Sequence, residues 1–136
     1  MKKEGLLLEV VPVGFGSRDE SEVLIICLPN GKILSSSIPN LQFSTLCDLK
    51  QPPSYIGVTQ RDGTSSLVVI GEQGKMLFIR PLGNGKISMQ EIVEDSPILD
   101  ACILGSDILF ATPMTLFHLQ HDPQNDSARA IATKHS

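Results

Sequence analysis

The stretch Leu24-Ile-Ile-Cys-Leu-Pro-Asn-Gly-Lys-Ile-Leu34 returns 43 residues later as Leu67-Val-Val-Ile-Gly-Glu-Gln-Gly-Lys-Met-Leu77. Leu, Gly, Lys and Leu recur in place, while Ile25, Ile26, Cys27 and Ile33 become Val68, Val69, Ile70 and Met76. The apolar positions survive as the side chains drift, so what repeats is a packing unit. Each copy sets β-forming residues on both sides of a glycine turn, which makes the unit a hairpin. At the same offset Leu49 maps onto Ile92 and Ile56 onto Leu99, with Pro52-Pro53 ahead of Ile56 and Pro97 ahead of Leu99, so the repeat extends beyond one hairpin. A period of about 40 to 45 residues with several short strands is the length of one β-propeller blade, a four-stranded sheet that buries its faces only against its neighbours. Three such periods use nearly all of the 136 residues, whereas closed propellers have about 4–8 blades. The expected fold is all-β, with antiparallel hairpin repeats forming a partial β-propeller of about three blade-like units and no closed ring.

Turn residues divide the chain accordingly. Strands are expected over Gly5–Val13, Glu22–Leu28, Lys32–Ser36, Phe43–Leu49, Ser54–Thr59, Leu67–Gly71, Lys75–Arg80, Ile87–Val93, Ile98–Leu104, Ile108–Ala111 and Thr115–Leu119. Between them lie Gly14-Phe-Gly16, Pro29-Asn30-Gly31, Pro39-Asn40, Pro52-Pro53, Arg61-Asp-Gly63, Gln73-Gly74, Gly83-Asn-Gly85, Gly105-Ser-Asp107 and Thr112-Pro113. Asn30-Gly31 in particular suits the positive φ angles of a two-residue hairpin turn. From residue 120 to 136 the chain is polar and lacks an apolar period, so the propeller is expected over 1–119 and a flexible tail over 120–136, with room for a short helix at Ser127–Ala132.

Charge and composition narrow the function classes. A net charge of −4 and one basic doublet, Lys2-Lys3, give no stripe for tracking phosphates, so no direct nucleic-acid contact is expected. No apolar run nears the roughly 20 residues that span a bilayer, and the start lacks a leader pattern, so no membrane contact is expected and an intracellular compartment is the default. Cys27, Cys47 and Cys102 are odd in number and scattered in apolar runs, which reads as buried small hydrophobes in a reducing compartment. Asp48 and Asp100 lie close to two of them and disfavour the thiolate.

No constellation in the chain asks for catalysis, a metal or a cofactor. His118 and His121 are three apart, but in a strand end that spacing loses the one-face meaning it has in a helix, and no third ligand lies near. Gly14-Phe-Gly16-Ser17 runs into acidic residues, where a phosphate cradle needs a helix N-terminus. Asp19-Glu-Ser-Glu22 and Glu91 with Glu94-Asp95 read as solvated carboxylates, and Ser35-Ser-Ser37 lacks the strand-to-helix elbow of a serine nucleophile. Phe43, Tyr55, Phe78, Phe110 and Phe117 all lie in strand-like runs and are expected to pack the core. Without tryptophan the chain lacks the Trp-Asp pair of WD-type blades.

The run from Val23 to Gln120 resembles the family of the 100 kDa associated subunit of the Fanconi anaemia core complex. The resemblance is carried, in order, by Leu28-Pro-Asn-Gly-Lys32, Leu46-Cys-Asp-Leu49 with Pro52 and Ile56-Gly57, Val68-Val69, Gly74-Lys75 with Met76-Leu77, Gly85-Lys86, Pro97-Ile-Leu-Asp-Ala-Cys102 and Thr112-Pro113. It implies a nuclear, non-catalytic scaffold that joins the B and L subunits, the latter a RING ubiquitin ligase, in the response to DNA interstrand crosslinks. The family's chain is several times longer, so this chain would be a fragment or short form. The alternatives are a fragment of an unrelated interaction propeller, from a trafficking-coat or ciliary complex, and a ligand-binding or enzymatic propeller with polar residues converging on a cleft.

Overall fold

The computed structural model describes residues 7–11, 23–37, 42–61, 64–83, 86–93, 96–122 and 127–135. They form three four-stranded antiparallel sheets, each built from consecutive strands. The first contains β1 (Leu7–Val11), β2 (Val23–Cys27), β3 (Lys32–Ser37) and β4 (Ser44–Asp48). The middle sheet contains β5 (Pro53–Arg61), β6 (Thr64–Gly71), β7 (Lys75–Gly83) and β8 (Lys86–Val93), and the third β9 (Asp100–Leu104), β10 (Asp107–Ala111), β11 (Leu116–Asp122) and β12 (Ser127–His135). β5 lies beside both β1 and β9, so the first strands of the sheets neighbour one another as they do around a propeller axis. The architecture is a partial β-propeller, with no helix among the described residues.

The repeated hairpins close as the glycines require, although not by two-residue turns. Gly31 donates its N–H to the Leu28 carbonyl at 2.8 Å, Leu28 donates to the Lys32 carbonyl at 2.8 Å, and the positive φ falls on Gly31 (98°) rather than on Asn30. This is a three-residue loop in which Pro29 and Asn30 turn the chain and glycine supplies the left-handed residue after them. Asn30 Oδ1 instead accepts from the Lys32 N–H at 3.0 Å. Gly74 repeats the pattern, with φ 103° and a bond to the Gly71 carbonyl at 3.2 Å. In the third sheet Thr112-Pro113-Met114-Thr115 serves the same corner, with the Thr112 N–H donating to Thr115 O at 2.9 Å.

The linkers tie sheet to sheet through these corners. Leu49 donates its N–H to Gly31 O in the sheet it leaves, while Glu72 in the next corner donates to Pro52 O, both at 2.8 Å. Gln51 Oε1 accepts from the N–H groups of Gln73 (2.9 Å) and Lys75 (3.1 Å) in that next corner. Ile98 and Leu99 do the same work further on, donating to Glu72 O and Ala111 O. The side chains of Leu49 and Ile98 are buried at the two seams.

Two seams form the core. Leu67, Val69, Leu77 and Ile79 of the middle sheet pack on Val23, Ile25, Cys27 and Ile33 of the first. Val68, Ile70, Met76 and Phe78 pack on Ile108 and Phe110 of the third. The middle sheet is therefore covered on both faces, which explains why Leu67-Val-Val-Ile70 is buried without alternation while β2 and β10 alternate. At Gly57 an added Cβ would stand 2.9 Å from Ile103 Cδ1, so glycine is what lets β5 approach β9 so closely.

Two expectations are corrected. The 43-residue offset holds for the hairpins but not for the flanking strands. Ile33 pairs with Cys47 and Met76 with Ile92, so Cys47, not Leu49, is the counterpart of Ile92: the chain from Leu34 to its partner Thr45 is three residues shorter than from Leu77 to Glu91, and the bulge at Leu46 recovers one of them. Likewise Ile56 corresponds to Ala101, not to Leu99, since Ile56 faces Val69 as Ala101 faces Phe110 and the linkers differ in length. The second correction concerns the expected tail: residues 120–122 complete β11, and Ser127–His135, far from a helix or a frayed end, runs antiparallel to β11 as β12. The open edge of β11 needs partners for its N–H and C=O groups, a demand of the backbone that an apolar-periodicity test does not see. The turns expected at Gly14-Gly16, Pro39-Asn40, Asp62-Gly63 and Asn84-Gly85 lie outside the described residues.

Candidate interaction surface

The ladders define which residues of the three sheets are equivalent. In the first sheet Ile25 pairs with Ser35 and Cys27 with Ile33; in the middle sheet Val68 pairs with Phe78 and Ile70 with Met76; in the third Leu109 pairs with His118 and Ala111 with Leu116. On the first strands Tyr55 and Gly57 correspond to Asp100 and Cys102 by the same logic. In the first two sheets this face is covered by the next sheet, whereas in the third it points outward. There Leu104 is 77% exposed and Leu116 40%, with Met114 (78%) and Leu99 (62%) at the adjoining corner.

The outward face also differs in chemistry from its counterparts. Asp100 stands where the middle sheet has Tyr55, Asp107 where it has Ser66, His118 where it has Phe78, and Ala111 where it has Ile70. His118 Nε2 lies 3.0 Å from Asp107 Oδ1, and Asp100 Oδ1 accepts from the Ala101 N–H at 2.9 Å. Leu104, Leu109 and Leu116 are thus left among two carboxylates and an imidazole. Exposed leucines and charged groups therefore alternate across this face, unlike the apolar clusters of the two seams.

The histidines have separate duties. Their odd spacing in β11 puts His121 on the opposite face from His118, and His121 is buried in the seam, its Nδ1 2.9 Å from Thr59 Oγ1 and its ring centroid 4.4 Å from that of Phe78. They cannot share an ion, and among the described residues no three His, Cys, Asp or Glu side chains gather as a metal site. Cys102 and His118 flank Leu109 in the ladder. Two strand spacings, about 9–10 Å, therefore separate the backbones that carry the thiol and the imidazole, with Leu109 between them, and His118 Nε2 is engaged by Asp107 instead.

Cys27 and Cys47 flank Ile33 in the same way, beyond disulfide reach. Burial, then Cys47 and Asp48, pushes the Cys27 thiol up to about 12; burial, then Asp48, pushes Cys47 up to about 11. Both are held as unreactive thiols, while Cys102 is exposed on the outward face, contrary to the expectation that all three are buried. Ser35 and Ser36 are buried in β3, so Ser35-Ser37 has no elbow. Glu91 Oε1 lies 3.7 Å from Lys75 Nζ, and Asp48 Oδ1 accepts from the Lys50 N–H at 2.8 Å. Gly14-Ser17, Asp19-Glu22 and Glu94-Asp95 lie outside the described residues. Tyr55, Phe78, Phe110 and Phe117 belong to the second seam, with Phe110 and Phe117 stacked at 4.8 Å, but Phe43, just ahead of the outer strand β4, is 42% exposed.

No family model and no curated protein matches this chain. A solved structure, the crystal structure of BBS1N in complex with ARL6DN, is similar to it with a TM-score of 0.59 and 18% sequence identity. The match covers 90% of this chain and 36% of the BBS1N chain, so this chain spans about a third of that chain's length. At this identity the likeness concerns the fold alone.

Proposed function

We propose that this chain is a non-catalytic propeller module that works by holding protein partners. The observation that carries the reading is the outward face of the third sheet, where Leu104 and Leu116 are exposed beside Asp100, Asp107 and His118. That Leu109 stands between Cys102 and His118 in the ladder supports a binding role over a catalytic one. BBS1N, which shares the fold, is solved with a protein bound.

Which assembly it serves divides into two readings. A scaffold of the nuclear Fanconi core complex, supporting ubiquitin ligation by a partner subunit, rests on the sequence resemblance. A subunit of a ciliary or trafficking assembly draws on the likeness to BBS1N. Co-expression of the full-length parent with the Fanconi B and L subunits, followed by affinity capture, separates them. Stoichiometric capture supports the first reading; a parent that binds neither and purifies with another complex ends it and leaves the module standing. A photo-crosslinking residue at Leu104 or Leu116 should join the parent to a captured subunit. Crosslinks confined to β4 and β8 would remove the third sheet from the binding role.

A further inference from the structure

We infer that the outward face of the third sheet takes an extended protein segment with an apolar residue between two basic ones, spaced Lys/Arg-x-apolar-x-Lys/Arg. The inference rests on the protein-binding reading and adds the partner's chemistry. Its basis is the comparison of equivalent positions inside one chain. The faces that receive a neighbouring sheet carry Ile25, Cys27 and Ile33 in the first sheet, where Glu9 of β1 and Ser35 of β3 flank Ile25 in the ladder, and Tyr55, Val68, Ile70, Met76 and Phe78 in the second. The third has given up three of the large apolar groups at those positions, for Asp100, Ala111 and His118, and has gained a second carboxylate at Asp107. Burying Asp100 under an apolar sheet would leave a charge unpaired, which disfavours another sheet of the same kind.

Spacing defines the segment. Asp100 pairs with Ala111 on β10, and Asp107 lies four residues back along β10. At about 3.4 Å per residue and 4.8 Å between strands the two carboxylates stand roughly 14 Å apart, the distance from residue i to i+4 in an extended chain. Leu109 sits between them, with Leu104 beside Asp107 and Leu116 opposite Ala111. Two basic residues at i and i+4 meet the carboxylates, and apolar residues at i−2, i+2 and i+6 share their face and meet the leucines. β9 to β11 supply no lysine or arginine to repel them, and Arg129 of β12, which the ladder sets on this face opposite Gln120, stands two strands away from Asp107.

The test uses the full 136-residue chain and three synthetic peptides: Leu-Ser-Lys-Ser-Leu-Ser-Lys-Ser-Leu, the same peptide with glutamate for lysine, and one with serine for leucine. Binding is read by titration calorimetry and by the rate at which a thiol reagent alkylates Cys102, which lies under the docked segment while Cys27 and Cys47 stay unreactive. The lysine-leucine peptide should bind at least tenfold tighter than either control, slow Cys102 alkylation, and weaken with salt. Asp100→Asn with Asp107→Asn, and separately the exposed Leu104→Ser, should each reduce affinity at least tenfold while leaving the melting temperature near its original value. Equal binding of the glutamate peptide, no binding of any peptide at millimolar concentration, or unchanged binding by the Asn pair would overturn the inference without touching the wider protein-binding reading. So would a species of twice 14.7 kDa that Leu104→Ser dissolves, since the face would then belong to a second copy.

Discussion

Replacing Gly31 and Gly105 by alanine, one at a time, isolates the force that locks sheet to sheet. Both glycines have positive φ, 98° and 62°, so both substitutions carry backbone strain of about 1–2 kcal/mol. Around Gly105 an added Cβ meets nothing within 4 Å, and with some unfolded-state entropy returned the net loss should be about 1 kcal/mol. At Gly31 the same atom would stand 2.7 Å from the Gln51 carbonyl oxygen and 3.0 Å from the Gln51 and Lys50 nitrogens. These are backbone atoms and cannot swing aside, so the linker must retreat. Retreat stretches the Leu49 N–H bond to Gly31 O, about 1 kcal/mol, and eases buried Leu49 out of the first seam, about another 1 kcal/mol as a fraction of a full Leu→Ala loss. Gly31→Ala should therefore cost about 3 kcal/mol, which for a chain of this length lowers the melting temperature by roughly 10 °C against roughly 3 °C for Gly105→Ala. Urea and thermal melts followed by circular dichroism measure both. Equal losses would show that positive φ alone matters and that the linker does not bear on the corner.

Three further outcomes are expected. The Cys27 thiol, held up at about 12 against an ordinary 9, keeps its proton in the fold, so stability is full below about pH 9 and falls as pH rises towards 12; urea midpoints at pH 8 and pH 10.5 should fall in the original chain and less in Cys27→Ala, and parallel slopes would exclude Cys27. Phe78→Ala empties part of the second seam and should cost about 3–5 kcal/mol, whereas His118→Ala at the equivalent outward position should cost under about 1 kcal/mol, a contrast that chemical denaturation reads directly. Gln51→Ala removes the acceptor for two corner amides and should speed hydrogen exchange at Gln73 and Lys75 more than at Gly31, with uniform acceleration counting against a local role.

The repeat was legible because its two constraints are written in residue types. Gly31 and Gly74 are the corners where φ is positive, and the apolar runs beside them must cover two seams. The rest was obscured for separable physical reasons. The β3–β4 connection is shorter than the β7–β8 one, and the bulge at Leu46 that offsets one residue of the difference has no glycine or proline to announce it. β12 is held by its ladder to β11, and Ser-Ala-Arg-Ala-Ile-Ala gives no apolar period to read. The outward face was missed because the third corner, Thr112-Pro113-Met114-Thr115, lacks the Gly-Lys marker, and only the ladders show that His118 replaces Phe78. The motifs that carry the Fanconi resemblance fall, where described, on corners, linkers and packed strands, which any propeller must build, so they report the fold more directly than the partners.

Energetics decide between a neighbour in the same chain and a separate partner on the outward face. Leu104, Leu109 and Leu116 are its main apolar groups, and because Leu109 is already half-buried, covering all three gains about 4–8 kcal/mol. A free partner must overcome about 4–15 kcal/mol of lost translation and rotation before any affinity appears, so burial alone leaves it at best weakly bound. A tethered sheet avoids most of that cost, but it would have to cover Asp100 and the Asp107–His118 pair, and an unpaired carboxylate under an apolar sheet costs more than one leucine returns. Opposite charges from the partner reverse the sign of that contribution, turning the groups that repel a sheet into ones that orient a basic segment. Affinity at this face must consequently fall with ionic strength, while the two internal seams, held by Ile25, Val69, Ile70 and Phe110, keep theirs.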